Sequence, residues 1–445
     1  MWVATIMRQE HTDVLVIGGG TAGFAAALAA ARQGVEVTLL EASSKVGGVM
    51  AFCPGMPWGG GYPQDQIIGG ILEELTRRLE AMSPPAAFKR TCTLDNFGPE
   101  ILYDHDIATL TMFEMLEEAG VRCLLGATAL EPEMAHNTIQ SLTCCDRRGL
   151  FRVVPRIVID CSGDGDISAK AGVPFQLGDS SGNMMAVTIS FHMSGVDCAA
   201  AFADPDPYFE AYAAKGIAEG RLHPDLAKLY LMEGFHPSTV FCNSVHIRGV
   251  NGTDPLDVTR ATQEGRRRCH QLAQFLRSDV PGFEKAFMTN LSPTTGVRET
   301  RKLQGVYRLT GGDLARGTKF ADGIVACDNP VDDVMRADSD MSHDAALQQG
   351  DFYTIPFRCL LPEQIENLMF AGRILSADPV AFASVRGMPQ CMAMGQAAGI
   401  AAWLCIAANT PVQQVPFEKL VAILSAQGVN RLAQSADKRI AALAH

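Results

Sequence analysis

DVLVIGGGTAGFAAALAAARQGVEVTLLE, residues 13–41, decides the fold. Val14, Leu15, Val16 and Ile17 form a branched apolar run suited to a buried strand, and Gly18, Gly20 and Gly23 follow at once, ahead of an alanine-rich helix. In that setting each glycine has a mechanical reading. Gly18 permits the tight turn, Gly20 lets the backbone approach a pyrophosphate, and Gly23 lets helix and strand pack closely. Thr21 and Ala22 fall in the first helical turn, where backbone amides face the phosphates. Gly34 ends the helix and residues 35–40 return as a second buried strand. Glu41 closes it, where a carboxylate can accept both hydroxyls of an adenosine ribose; an acid there favours a free 2'-hydroxyl.

Strand, glycine triplet, helix, strand and acid in register specify an α/β, Rossmann-like unit. No second such triplet is visible elsewhere in the 445 residues, so a separate nicotinamide dinucleotide has no seat of its own. The length allows two or three domains. Charged residues at 19%, hydrophobic residues at 47% and 42 glycines give a glycine-rich, enzyme-like composition. A formal charge of −12 argues against a nucleic-acid surface, which needs a basic face. Thirteen cysteines without C-x-x-C pairs or zinc spacing read as reduced thiols of a cytoplasmic protein, and no metal site is expected. The N-terminus lacks a signal-peptide pattern. The uncharged stretch 387–415 carries Pro389, Gln390, Gly395, Gln396 and Gly399, the pattern of a helix buried in protein, so no membrane span is expected.

Along the chain, residues 51–62 (AFCPGMPWGGGY) read as a loop whose Phe52, Met56 and Trp58 could pack over a flat ring. Helical spacing follows at 68–82 and 106–119, then strands at 121–127, 138–145, 151–154 and 156–159. The last strand runs into Asp160, Cys161, Ser162, Gly163, Asp164, Gly165 and Asp166, a turn fit for a second phosphate or ribose contact, with a calcium loop as the weaker alternative. A strand at 183–196, short helices over 197–232, a strand at 238–247 and a helix at 259–276, with Arg266 to Arg268 exposed, suggest a second unit. The division expected is 1–173, 174–328 and 329–445, the outer two forming one cofactor domain. Residues 366–370 then form a strand entering Ala371, Gly372 and Arg373, a loop follows, and 385–408 read as a small-residue helix.

These stretches together resemble the FAD-dependent oxidoreductase family, within the glutathione-reductase-like flavoproteins. The resemblance runs from DVLVIGGGTAGFAAALAAA through IDCSGDGDISAKAG, AVTISFHMSGVD, VRETRKLQGVYRLTGGD and YTIPFRCLLP to ENLMFAGRILSAD and SVRGMPQCMAMGQAAG. It is joined by KVGG at 45–48, a glycine pair just past the acid that NAD does not require. It implies a Rossmann-like FAD-binding domain of the glutathione-reductase type with an inserted α+β substrate domain. FAD would lie with its adenosine at Gly18, Gly20, Gly23, Glu41, Ala42 and Ala129 and against the Cys161–Ser162–Gly163 turn with Asp166. Its ring would lie near Gly47, Gly48, Gly372, Arg373 and the helix start at Arg386, Gly387 and Met388. Arg386 and the free amides of that start suit the negative charge that develops when the ring accepts hydride.

Two departures stand out. Relatives often carry proline-x-aspartate-x-histidine where this chain has Pro330, Val331, Asp332, Asp333 and Val334, and a histidine after the AGR strand where this chain has Pro379. The expected reaction is hydride transfer between a small organic substrate and the flavin, with oxygen, a quinone or a carrier protein as electron acceptor. Reduction of an activated double bond and a structural flavin in RNA modification are the alternatives. His246 is the first candidate for a base and Tyr353 the second; Arg298, Arg301 and Arg358 are candidates to hold a carboxylate or oxyanion. Cys53 leaves open a covalent flavin link, and the low charge content makes a homodimer the expected assembly.

Overall fold

Five parallel strands carry the cofactor half, and their order follows from where apolar runs meet glycine turns. In a computed structural model describing residues 8–53, 55–58, 67–91, 99–332 and 351–430, they run Arg122–Leu125, Val37–Glu41, Arg8–Ile17, Gly149–Asp160 and Leu368–Phe370. Val14 pairs with Val37 on one side and Ile157 on the other, and all four residues from Val14 to Ile17 are buried. Parallel strands covered on both faces read as continuous apolar runs, which is why this one was legible. All five end at the same edge, at Ile17, Glu41, Leu125, Asp160 and Phe370. The chain leaves Arg8–Ile17 toward one side and later returns on the other, so the crevice between Ile17 and Asp160 is the switch point where such sheets bind ligands.

The returning strand departs from expectation. Residues 151–154 and 156–159 are one strand, Gly149–Asp160, running straight through Pro155. Its first half pairs antiparallel with Thr138–Asp146, ending at Val153, and its last residues pair with Leu368–Phe370 from Val158 onward. Pro155 falls in the gap between those two partners, where that edge forms no ladder. The strand expected at 121–127 is the shorter Arg122–Leu125, ended by Gly126, and Thr128–Ala135 follows it as a further strand that was not expected.

The middle region builds its own antiparallel sheet in the order Leu231–Glu233, Thr239–Ile247, Val187–Ser194 and Phe287–Leu291, covered by the helix Pro255–Asp279. Its core, from Val187 to Ala286, is separate, while Leu309, Leu314 and Ile324 to Cys327 pack into the cofactor-side core. The inserted unit is therefore shorter at its C-terminal end than the expected 174–328. On the helix Arg266 and Arg267 are exposed, but Arg268 is largely buried and paired with Asp225 and Glu264.

Three further elements differ from expectation. Val49–Phe52 is a short helix, and Trp58 is buried with its ring stacked on Tyr103 at 4.2 Å; residues 54 and 59–62 of that loop lie outside the described residues. Residues 379–385, read as loop, form a helix capped by Asp378 with Pro379 at its first turn. The helix expected over 385–408 therefore begins only at Met388, after a break at Arg386 and Gly387. That helix, Met388–Ala408, is long and apolar enough to cross a membrane by composition, yet 78% of its apolar window is buried inside the protein. All twelve described cysteines are unpaired thiols.

Candidate functional site

The glycine turn and its surroundings form the candidate dinucleotide seat. The helix Thr21–Ala31 starts at Gly20, which supplies no side-chain cap, so the first-turn amides of Thr21, Ala22 and Gly23 point out of the helix end with no intrahelical acceptor. The backbones around them approach so closely that only glycine fits. A Cβ on Gly23 would sit 1.7 Å from the Gly18 carbonyl oxygen, one on Gly48 2.9 Å from Gly20 Cα, and one on Gly372 3.2 Å from Ala22 Cβ. Gly47 donates its N–H to Gly19 O at 2.7 Å, bringing the second glycine pair against the first. Glu41 Oε2 accepts from Gly19 N at 2.6 Å and Oε1 from Ser43 N at 2.7 Å. Each oxygen retains a lone pair for a ribose hydroxyl. Ala127 N donates to Glu41 O, which carries the start of Thr128–Ala135, and with it Ala129, next to Glu41 and the exposed Ala42. Opposite, Cys161 N donates to Ile17 O at 2.7 Å, and Arg373 lies directly over Gly163, where a Cβ would be 2.5 Å from its Nη2. Uncapped amides, closely approaching glycine backbones, an acid and an arginine on one crevice fit a bound dinucleotide.

The three aspartates of the second turn go three ways, which removes the calcium-loop alternative. Asp160 is fully buried and accepts from the amides and hydroxyls of Ser162 and Ser168, fixing the turn. Asp164 accepts from Thr300 Oγ1 at 2.9 Å. Asp166 pairs with Arg301 at 2.6 Å.

The candidate catalytic residues divide similarly. Arg301 also donates to Asp164 O, so it braces the cofactor turn rather than standing free for substrate. Arg358 is bound through two N–H groups to Asp322. Tyr353 is fully buried; its hydroxyl donates to Ser384 Oγ at 2.6 Å, which in turn donates to Asn329 O. Burial first, and the Cys327 thiol second, hold that phenol well above its usual range, and it makes no contact with His246 or Arg298. Arg386 is tied to Asp332, Nη2 donating to Oδ2 at 2.7 Å and to the backbone oxygen at 2.9 Å. Gly387 caps the helix Met388–Ala408 without a side chain, and Met388 is nearly buried.

His246 and Arg298 come together. Arg298 Nη1 donates to Ala186 O at 2.9 Å and to Thr188 Oγ1, and Nη2 donates to His246 Nε2 at 3.3 Å. Since Arg298 can only donate, His246 Nε2 accepts, and Nδ1 carries the proton donated to Ser244 O at 3.0 Å. The Arg373 Nη1 to Arg298 O contact of 3.5 Å ties this pair to the cofactor turn. Cys53, singled out in the sequence only for a covalent flavin link, has its Sγ 3.2 Å from Ser190 Oγ and acts electrostatically on Arg298; sequence reasoning missed two further neighbours of the pair, Tyr230, edge-on to His246 with centroids 5.9 Å apart, and Asp332. Asp332 was noticed only for the histidine absent from its segment, and Asp333 and Val334 lie outside the described residues.

Burial first, then the Arg298 charge, push the His246 imidazole down to about 3. A base that weak, with its lone pair engaged by Arg298, is a positioning group. Above the ordinary value of 6.5 folded and unfolded His246 are both neutral. Below it the unfolded chain binds a proton that the folded chain refuses, so stability falls as the pH drops from about 6.5 toward 3. At about pH 5 the deficit is about 2 kcal/mol. The urea midpoint of the native protein should therefore fall further between pH 7 and pH 5 than that of His246→Gln; equal falls would exclude His246 as the source.

Residues 13–424 match the family model described as FAD dependent oxidoreductase. Over shorter segments the chain is 40% identical across 81 residues to the 4-oxocyclohex-2-ene-1-carboxylate 5-dehydrogenase of Sinomonas cyclohexanicum, 18% of this chain and 14% of that one. It is 33% identical across 120 residues to polyamine oxidase 4 of Oryza sativa subsp. japonica, 25% of this chain and 22% of that one. These matches span less than a quarter of either relative's length. Among solved structures, a geranylgeranyl bacteriochlorophyll reductase-like protein of Thermoplasma acidophilum is 14% identical, with 94% of this chain and 88% of that chain covered at a TM-score of 0.47.

Proposed function

The chain belongs to the FAD-dependent oxidoreductase family, is an enzyme and uses FAD, and on that premise we propose that it transfers a hydride between a small organic substrate and the flavin. The finer reading is a glutathione-reductase-type cofactor half with the inserted sheet forming the substrate wall. FAD, when bound, supplies the two-electron chemistry. The glycine turn, the amides of Thr21 to Gly23, Glu41 and Arg373 would hold it, and the break at Arg386 and Gly387 would face its ring.

One observation carries the reading. Arg298, from the chain that closes the inserted unit, touches the cofactor-turn arginine through its own backbone and reaches His246 through its side chain. This supports a reading in which Arg298 is a charged, oriented donor where the cofactor and substrate halves would meet, the place a substrate would occupy to reach the flavin. Thr188, the Ala186 carbonyl and His246 fix the guanidinium, so substrate orientation is set before binding. The same arginine favours one second reading, reduction of a double bond activated by a carbonyl or carboxylate, with the hydride moving the other way.

The purified protein should show flavin absorption near about 375 and 450 nm, and under anaerobic conditions the 450 nm band should bleach with a substrate among hydroxy acids, amines and sugars. Reoxidation of chemically reduced protein by an enoate would select the second reading. A colourless protein that added FAD does not restore, or one whose flavin responds to no organic donor or acceptor, would overturn hydride transfer.

A further inference from the structure

The surroundings of Arg298 carry a charge imbalance. Arg298 has five N–H donors; three are used, by Ala186 O, Thr188 Oγ1 and His246 Nε2, and no carboxylate among the described residues forms an ion pair with it. Two donors remain, the number a carboxylate accepts. The neighbouring charges are those of Arg386 and Asp332, which are paired with each other. The other groups that face Arg298 are neutral near pH 7: the Cys53 thiol and the Tyr230 phenol are both raised, chiefly by burial, and the His246 imidazole is held down. Arg373 lies over the Gly163 turn, on the cofactor's side. Among the described residues, two guanidiniums against one carboxylate leave one positive charge without a partner in a partly buried site. Burial, with Arg386 next in size, lowers Arg298 to about 10, so the charge persists at neutral pH and the site is short of an anion.

Resting on the hydride-transfer reading for its location, we infer that the substrate is a small monocarboxylate whose carboxylate is seated on the two free donors of Arg298, with the Arg386–Asp332 pair setting the limit of one negative charge. A second carboxylate would meet Asp332. A neutral substrate would leave the Arg298 charge uncompensated, which disfavours the simple amines and sugars.

Binding tests this without turnover. FAD-loaded protein is titrated with acetate, pyruvate, lactate and benzoate, each against its amide, and with malonate and succinate, following flavin absorbance and the thermal midpoint. At least one monocarboxylate should bind, with its amide weaker by about tenfold or more. Arg298→Lys, which keeps the charge and loses the planar fork, should weaken that acid by about tenfold or more while FAD stays bound. Should that variant fold poorly, Asp332→Asn gives an independent reading: freeing Arg386 adds a second unpartnered charge and should shift preference toward malonate or succinate by about tenfold. Amides binding as well as acids, no acid binding at all, or an unchanged preference in Asp332→Asn would each overturn the inference. Bleaching by a neutral donor without carboxylate binding would overturn it while leaving hydride transfer standing. Carboxylate binding to a flavin that no compound reduces would support the anion seat and remove the redox reading.

Discussion

Gly395→Val should give a protein destabilised by about 3 kcal/mol or more and largely stripped of flavin. The helix Thr21–Ala31 is buried from Thr21 to Ala30, and much of its cover is the helix Met388–Ala408. The two backbones touch at two points one turn apart. A Cβ added at Gly395 would lie 2.0 Å from Ala22 O, and one at Gly399 would lie 2.3 Å from Ala26 O and 3.0 Å from Ala29 Cβ. Neither contact is with the flexible tip of a side chain, so the helices must separate. Valine's better helix propensity, worth under about 1 kcal/mol, cannot offset that. The loss extends to function because the N-terminal turn of Thr21–Ala31 is the proposed phosphate seat, and Gly372 meets the same helix at Ala22. Urea midpoints and the flavin-to-protein absorbance ratio measure both effects. Gly312→Ala is the control, since its Cβ would first meet the mobile end of Arg316 at 3.1 Å; it should stay within about 0.5 kcal/mol of the native protein. A Gly395→Val protein with full flavin content and an unchanged midpoint would show that the two helices can part without cost.

The difference between what was legible in the chain and what was not has a physical basis. Residues 13–41 could be read because every signal in them is local: branched residues make the strand, glycines the turn, alanines the buried helix. The helix at 379–385 carried local signals too, Asp378 as cap and Pro379 in the first turn, but it was overlooked because so short an apolar run shows little periodicity. The split of the returning strand's partners on either side of Pro155 depends on Leu368–Phe370, over 200 residues away, and no local pattern encodes it. The site divides the same way. Glu41 and the glycines were identified from spacing, whereas the arginines were known only by type. Arg301 and Arg386 turned out to be held by Asp166 and Asp332, and Arg298 by His246, partners set by tertiary structure at separations of 52 to 135 residues. Tyr353 looked like a base because burial of a phenol leaves no mark in sequence.

Glu299→Leu and Lys302→Met should each cost about 3–5 kcal/mol, and the two combined less than either. The two side chains form an ion pair with exposures of 1% and 2%, so almost no water reaches either charge. Glu299 Oε2 accepts from Met185 N at 3.0 Å, and Lys302 Nζ donates to Gly178 O at 2.9 Å. The pair thus clamps the chain entering the inserted sheet to the chain leaving it, at the segment that also carries Arg298. Removing one side chain takes the opposite charge away from the other in a low-dielectric interior, and the desolvation that the pair had balanced is then less well compensated. Removing both takes away attraction and desolvation together, which is why the double variant should recover most of the loss. A double-mutant cycle on urea midpoints gives the coupling, and the sign of the recovery decides the matter: a double variant losing the sum of the two single losses would mean that the side chains act separately, each through its own backbone contact. Function adds a second readout. Because Arg298 adjoins Glu299 in sequence, the single variants should also weaken carboxylate binding at temperatures where they remain folded, and the double variant should restore it in step with stability.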